Sequence, residues 1–184
     1  MQLFALLVAF AISAAPAAAL PERRQVDEYR LRVTTRGGNL GASYLSVRDS
    51  RLGLFPNQDP IKVTTSTSPS NPDGITLHPV SIADVYRSLA LVGAGGVLDI
   101  YEIDMPSENT HDRNWQDWEV EDVNGEQLLR WTAARVERAR PWLAMPEPQG
   151  KGGYAVWYID DFEGAFPGVT MPIDNIVLEP VSAE

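Results

Sequence analysis

The chain has 184 residues, 22% of them charged, and a formal net charge of -10. An acidic surface of that kind repels nucleic-acid phosphates and anionic lipid, so neither is expected as a partner. There is no cysteine, which removes thiol nucleophiles, thiolate metal sites and redox motifs and leaves the fold to its hydrophobic core.

Residues 2–19 are almost wholly apolar or small, from Leu3-Phe-Ala-Leu-Leu-Val8 to Ala17-Ala-Ala19. A short apolar region followed by small residues is the pattern of a secretory signal peptide, with cleavage between Ala19 and Leu20. A membrane anchor needs about 20 apolar residues, and Ser13, Pro16 and the alanine run argue against one. Residues 20–26 form a short tail in which Arg23-Arg24 is either a dibasic processing site or an exposed charged pair. Residues 27–184 then make a single β domain. No Asn-x-Ser/Thr acceptor occurs, since Asn71 is followed by Pro72.

Alternation marks the first strand: Tyr29, Leu31 and Val33 alternate with Arg30, Arg32 and Thr34. Tyr44 to Val47 and Leu52 to Leu54 flank a polar Arg48-Asp-Ser-Arg51 and read as a hairpin. The β-branched run Ile61 to Thr67 is extended, and residues 68–74 (SPSNPDG) form a loop by turn chemistry. Leu89 to Val92, the turn Gly93-Ala-Gly-Gly96 and Val97 to Ile103 are a second hairpin. Further strands are expected at Trp118 to Val120, Leu128 to Trp131, Trp142 to Met145, Tyr154 to Ile159 and Ile176 to Leu178. Only Thr132 to Arg140 has a helix-friendly composition.

Two phrases recur. One appears as Gly74-Ile-Thr-Leu-His-Pro-Val-Ser81, faintly as Asp117-Trp-Glu-Val-Glu-Asp-Val-Asn124, and again as Asn175-Ile-Val-Leu-Glu-Pro-Val-Ser182. Each follows a copy of the other, Tyr44-Leu-Ser-Val47, Ser88-Leu-Ala-Leu91 or Trp142-Leu-Ala-Met145, at separations of 31, 30 and 34 positions. About a dozen short strands arranged as three pairs of phrases predict an all-β fold, a β-trefoil-like barrel with three repeats. A lipocalin-like or jelly-roll barrel or sandwich is the alternative.

Chemistry is sparse. His78 and His111 are the only histidines, and His78 reads as a surface strand position. No serine sits in a Gly-x-Ser-x-Gly elbow and no His-Glu-x-x-His occurs, so no histidine-assisted hydrolase is expected. A glycosidase would need two carboxyls facing across a cleft, and Asp112, Asp117, Glu119, Glu121, Asp122, Asp160 and Asp161 offer no evident pair. Asp112 to Asp117 lacks the glycine and terminal Glu of a calcium loop. The most suggestive group is Asp112, Asn114, Trp115 and Asp117. There an exposed indole could stack on a sugar ring while the polar side chains take its hydroxyls. The competing reading packs all five tryptophans into the core.

From Trp118 onward the order Trp-x-Val, Leu-x-x-Trp, Leu143-Ala-Met-Pro146 and Gly-Gly-Tyr-Ala-Val156-Trp-Tyr158 resembles the last third of small secreted proteins of filamentous fungi, the phialide-associated cell-wall proteins and IgE-binding antigens. That resemblance implies a secreted or wall-associated protein without catalytic residues. The expectation is therefore a secreted, non-enzymatic, monomeric extracellular protein that needs no cofactor or metal. It would act by binding a glycan or an extracellular protein. A carbohydrate-binding lectin is one form of this. A protease inhibitor presenting residues 68–74 or 146–153 is another.

Overall fold

The computed structural model describes residues 27–35, 43–80, 86–110, 112–132, 141–148, 152–161, 164 and 170–182. The signal segment with Ala19 and Leu20, the pair Arg23-Arg24, His111 and the helix-friendly stretch after Thr132 lie outside them. So does the tip of the loop 146–153.

The described chain is all-β. In order the strands are β1 (Tyr29–Thr34), β2 (Ser43–Tyr44), β3 (Ser46–Arg48), β4 (Arg51–Leu54), β5 (Lys62–Thr67), β6 (Ile75–Pro79), β7 (Arg87–Ala94) and β8 (Val97–Asp104). They continue with β9 (Arg113–Asn114), β10 (Trp118–Val123), β11 (Glu126–Trp131), β12 (Trp142–Pro146), β13 (Tyr154–Ile159), β14 (Met171–Ile173) and β15 (Asn175–Pro180).

The strands form two curled sheets. The first runs β15-β11-β10-β6-β5-β1-β2, and β15 also pairs with β1 from Tyr29↔Pro180 to Thr34↔Asn175. The second runs β14-β12-β13-β4-β8-β7-β9, with β3 against β4. Within it β4 pairs β8, and β13 pairs both of them. The hairpins β3–β4, β7–β8 and β12–β13 therefore meet one another edge to edge.

Local chemistry explains the tight turns. Asp49-Ser50, Gly95-Gly96 and Asn124-Gly125 all have positive φ at both positions, from 53° to 84°. Two left-handed residues between antiparallel strands twist the hairpin in the sense its strands require. Glycine and asparagine reach that conformation with least strain. Alternation along β1 then buries Leu31 and Val33 and leaves Arg30 and Arg32 outward.

The core joins the two sheets through aromatic rings. Trp118 and Trp131 are cross-strand partners in the first sheet, and Trp142 and Tyr158 are partners in the second. Trp118 stacks on Trp142 at 6.3 Å between centroids, and Tyr158 meets Trp142 edge-on at 4.8 Å. The Trp118 indole donates to the carbonyl of Leu89 on β7 at 3.0 Å. Leu31, Val63, Leu77, Leu129 and Ile176 fill the surrounding space.

The repeated phrases divide into two cases. The copies at Ser88 and Trp142 lie at the start of β7 and β12, and the copy at Tyr44 spans the end of β2 and the first two residues of β3. The copies at Ile75, Trp118 and Ile176 are not equivalent. Trp118 starts β10 and Ile176 is the second residue of β15, and these strands run in the same direction because each is antiparallel to β11. Ile75 starts β6, which pairs antiparallel with β10 through Trp118↔Ile75 itself. Neighbouring antiparallel strands cannot be copies related by a rotation about a barrel axis, so the likeness of the Ile75 phrase to the other two reflects a shared strand pattern.

Candidate functional site

The sequence-derived group falls on β9 and the turn after it. Asp112 is exposed, and its carbonyl accepts from Gly93 N–H at 2.9 Å. Asn114 is buried, with Oδ1 accepting from the N–H groups of Gln116 and Asp117 at 3.0 and 3.3 Å. Its Nδ2 donates to the Asp117 carboxylate. The structure thus brings Asn114 and Asp117 together to close the turn and leaves Asp112 at the surface.

Trp115 faces inward. Only 7% of it is exposed. Its indole N–H donates to the Ser107 carbonyl at 3.2 Å, and its backbone N–H donates to Asn109 at 3.1 Å. The expected exposed ring is corrected on that point: the loop 107–109 satisfies the indole N–H, so burying the ring leaves no polar group unpaired. Of the five tryptophans, only Trp157 is more than slightly exposed.

A cleft elsewhere has the shape for a ligand. It is an open recess of about 490 Å³, lined by Tyr44, Phe55, Pro56, Gln58, Pro60 and Tyr154, among others. That volume is within the range of small-molecule sites. Its walls come from three strands. Tyr44 ends β2, and its hydroxyl donates to Glu179 on β15 at 2.9 Å. That bond, followed by burial, raises the Tyr44 phenol above its ordinary pKa. Tyr154 opens β13 opposite Leu54. Phe55 is buried beneath the cleft, with the Arg48 guanidinium 4.0 Å from its ring centre.

Gly153 allows the close approach of these segments. Its φ is +85°, and a Cβ there would stand 2.5 Å from the Leu54 carbonyl oxygen. No side chain fits, so glycine at this position keeps Tyr154 beside Leu54 and Pro56.

Behind the cleft lies a charged triad with one member from each hairpin. Arg51 on β4 pairs with Asp99 on β8 and, at 2.9 Å, with Glu147 just after β12. Arg48 adds a second contact to Glu147 at 3.2 Å. Burial pushes the Asp99 carboxyl above its ordinary range, and the Arg51 hydrogen bond and charge only partly oppose this. Glu102 is raised by burial in the same way, against the pull of Arg87. These carboxyls are committed to guanidinium partners.

Among the described residues no three His, Asp or Glu side chains gather as a metal site would require. Two of the acids considered for a facing pair are engaged locally on β10 and its turn. Glu121 binds Arg130 at 2.8 Å, and Asp122 accepts from Gly125 N–H at 3.1 Å. Sequence reasoning missed Tyr44, Phe55 and Tyr154 as a group. The available signals were the turn-rich Phe55-Pro-Asn-Gln-Asp-Pro60 after a hairpin and the Gly152-Gly153-Tyr154 step. Compared with known proteins, the chain matches no family model, no curated protein and no solved structure.

Proposed function

We propose that this is a secreted extracellular protein, wall-associated or freely released, that acts by binding through the cleft between Tyr44, Phe55 and Tyr154. The observation that carries the reading is the cleft itself: about 490 Å³, with aromatic and proline walls and few polar groups. Such a lining fits a ligand with a flat apolar face, a pyranose or an aromatic ring, oriented by Gln58 and the Ser43 hydroxyl. The net charge of -10 favours neutral or cationic ligands over anionic ones. Secretion rests on the apolar leader, and wall association on the resemblance to fungal wall proteins.

The reading includes a three-unit trefoil architecture. Its supports are the ring of pairings β1-β15-β11-β10-β6-β5-β1 and the mutual edge contacts of the three hairpins. In chain order each unit would contribute two ring strands and one hairpin. The lectin form of the proposal moves from the Trp115 loop to the cleft, because Trp115 has no free face to offer.

A glycan array and an aromatic-fragment screen on the secreted protein test this and separate the two ligand classes. Tyr154→Ala is expected to abolish binding of any hit, whereas Asp112→Ala leaves it unchanged. Silence in both screens would remove the proposal. A second reading, a protease inhibitor, is favoured by one observation. The exposed loop 68–74 is pinned by Ser68 N–H to Gly74 O at 2.9 Å, by Gly74 N–H to Asn71 O at 3.0 Å and by Asp73 N–H to Asn71 Oδ1 at 3.1 Å. Inhibition of an extracellular protease that is lost when residues 69–72 are replaced would select it.

A further inference from the structure

Ser66 and His78 lie diagonally across the β5–β6 pair, which is fixed by Thr64↔His78 and Ser66↔Thr76. The Ser66 hydroxyl is 2.8 Å from His78 Nε2, and His78 Nδ1 is 3.0 Å from the Arg87 carbonyl oxygen. A carbonyl can only accept, so Nδ1 carries the ring proton and Nε2 presents its lone pair to Ser66. The Ser66 hydrogen then points at Nε2, and the Thr76 hydroxyl stands 3.2 Å from Ser66 Oγ. This is the geometric order of a nucleophile, a base and a group that orients the base. The orienting carbonyl is held in place: Arg87 pairs with Asp104 in the β7–β8 ladder, and its side chain bonds Glu102 at 3.1 Å and Asp104 at 3.2 Å.

A second observation falls at the same place. Among the described residues the exposed large hydrophobics are Val80 and Tyr86, 43% and 65% exposed. Val80 shares the outward face of its strand with His78 by alternation, and Tyr86 directly precedes Arg87. Ser66 is exposed, so a reagent can reach it, and Val80 lies two residues beyond His78 with its side chain open to solvent.

We propose that Ser66 is a nucleophile activated by His78, able to take an acyl group from an apolar ester. As the Oγ–carbon bond forms, the Ser66 proton passes to His78 Nε2. When the carbon–oxygen bond of the ester breaks, the leaving alcohol or phenol takes that proton. The product is an acyl-serine, which water hydrolyses by the same transfer in reverse. The site shares no residue with the cleft, so it stands independently of the binding reading.

The test incubates the full chain with a long-chain alkyl fluorophosphonate and locates the adduct by peptide mass spectrometry. The expected adduct is on Ser66, absent in Ser66→Ala and formed about 100-fold more slowly in His78→Asn, with both variants melting like the parent. A long-chain p-nitrophenyl ester should acylate the protein at least several-fold faster than the acetate, and Val80→Ser should remove that preference. No adduct, an adduct elsewhere, or a rate unchanged by His78→Asn overturns the proposal. Should His78→Asn fail to fold, the parent decides: equal rates with long- and short-chain reagents overturn it.

Discussion

Arg51 is the side chain on which the three hairpins depend together. It neutralises Asp99 and Glu147, whose side chains are 24% and 6% exposed. Removing Arg51 leaves the half-buried Asp99 carboxylate without its guanidinium, while Glu147 keeps only the longer contact to Arg48. Arg51→Met is therefore expected to cost about 3 kcal/mol, read as a lower urea midpoint at unchanged slope.

Asp99 gives a prediction of opposite character. Its carboxyl, like that of Glu102, protonates more readily in the folded protein than its ordinary value of 3.8 would allow, chiefly through burial. A carboxyl raised on folding adds stability that is fully present below the unfolded value and is lost as pH rises through the folded one. Unfolding free energies measured between neutral pH and pH 4 should therefore show the parent gaining on Asp99→Asn as pH falls. A parent that loses ground to the variant would mean that the Arg51 bond outweighs the burial.

At the scale of elements, the aromatic joint decides whether two curled sheets make one core. Trp142 contacts Trp118 across the sheets and Tyr158 within its own, and is 1% exposed. Trp142→Ala should cost about 4 kcal/mol, and the loss should appear in one cooperative transition for both sheets. Separate transitions would show that the sheets do not share this joint.

The elements were largely legible in sequence because their signals are local. Alternation places β1, and Gly95-Gly96 marks the β7–β8 hairpin, whereas the Asn124-Gly125 turn between β10 and β11 went unread. The direction of a strand is not local. Ile75-Thr-Leu and Ile176-Val-Leu have the same apolar spacing, yet β6 and β15 occupy different roles, since only pairing fixes which neighbour a strand meets. The site was hidden for a related reason. Tyr44, Phe55 and Tyr154 come from three distant stretches, and no spacing rule connects them. Trp115, conspicuous in its acidic loop, is buried because the Ser107 carbonyl is within its reach.

For the whole molecule, one ring of strands and three mutually touching hairpins leave a recess of ligand size against β2, β4 and β13. Its walls are fixed by backbone pairing, by the Gly153 contact and by the Tyr44 hydrogen bond to Glu179. A preformed recess loses little order on occupation, which suits the binding role proposed for it. The net charge of -10 opposes self-association at neutral pH, and that repulsion fades near pH 4.6.

The most direct measurement is backbone amide chemical-shift mapping of the labelled protein during titration with a hit from the glycan or fragment screen. Saturable shifts centred on Tyr44, Phe55 and Tyr154, lost in Tyr154→Ala, are the expected result. Saturable shifts confined to Asp112, Asn114, Trp115 and Asp117, with the cleft silent, would contradict it.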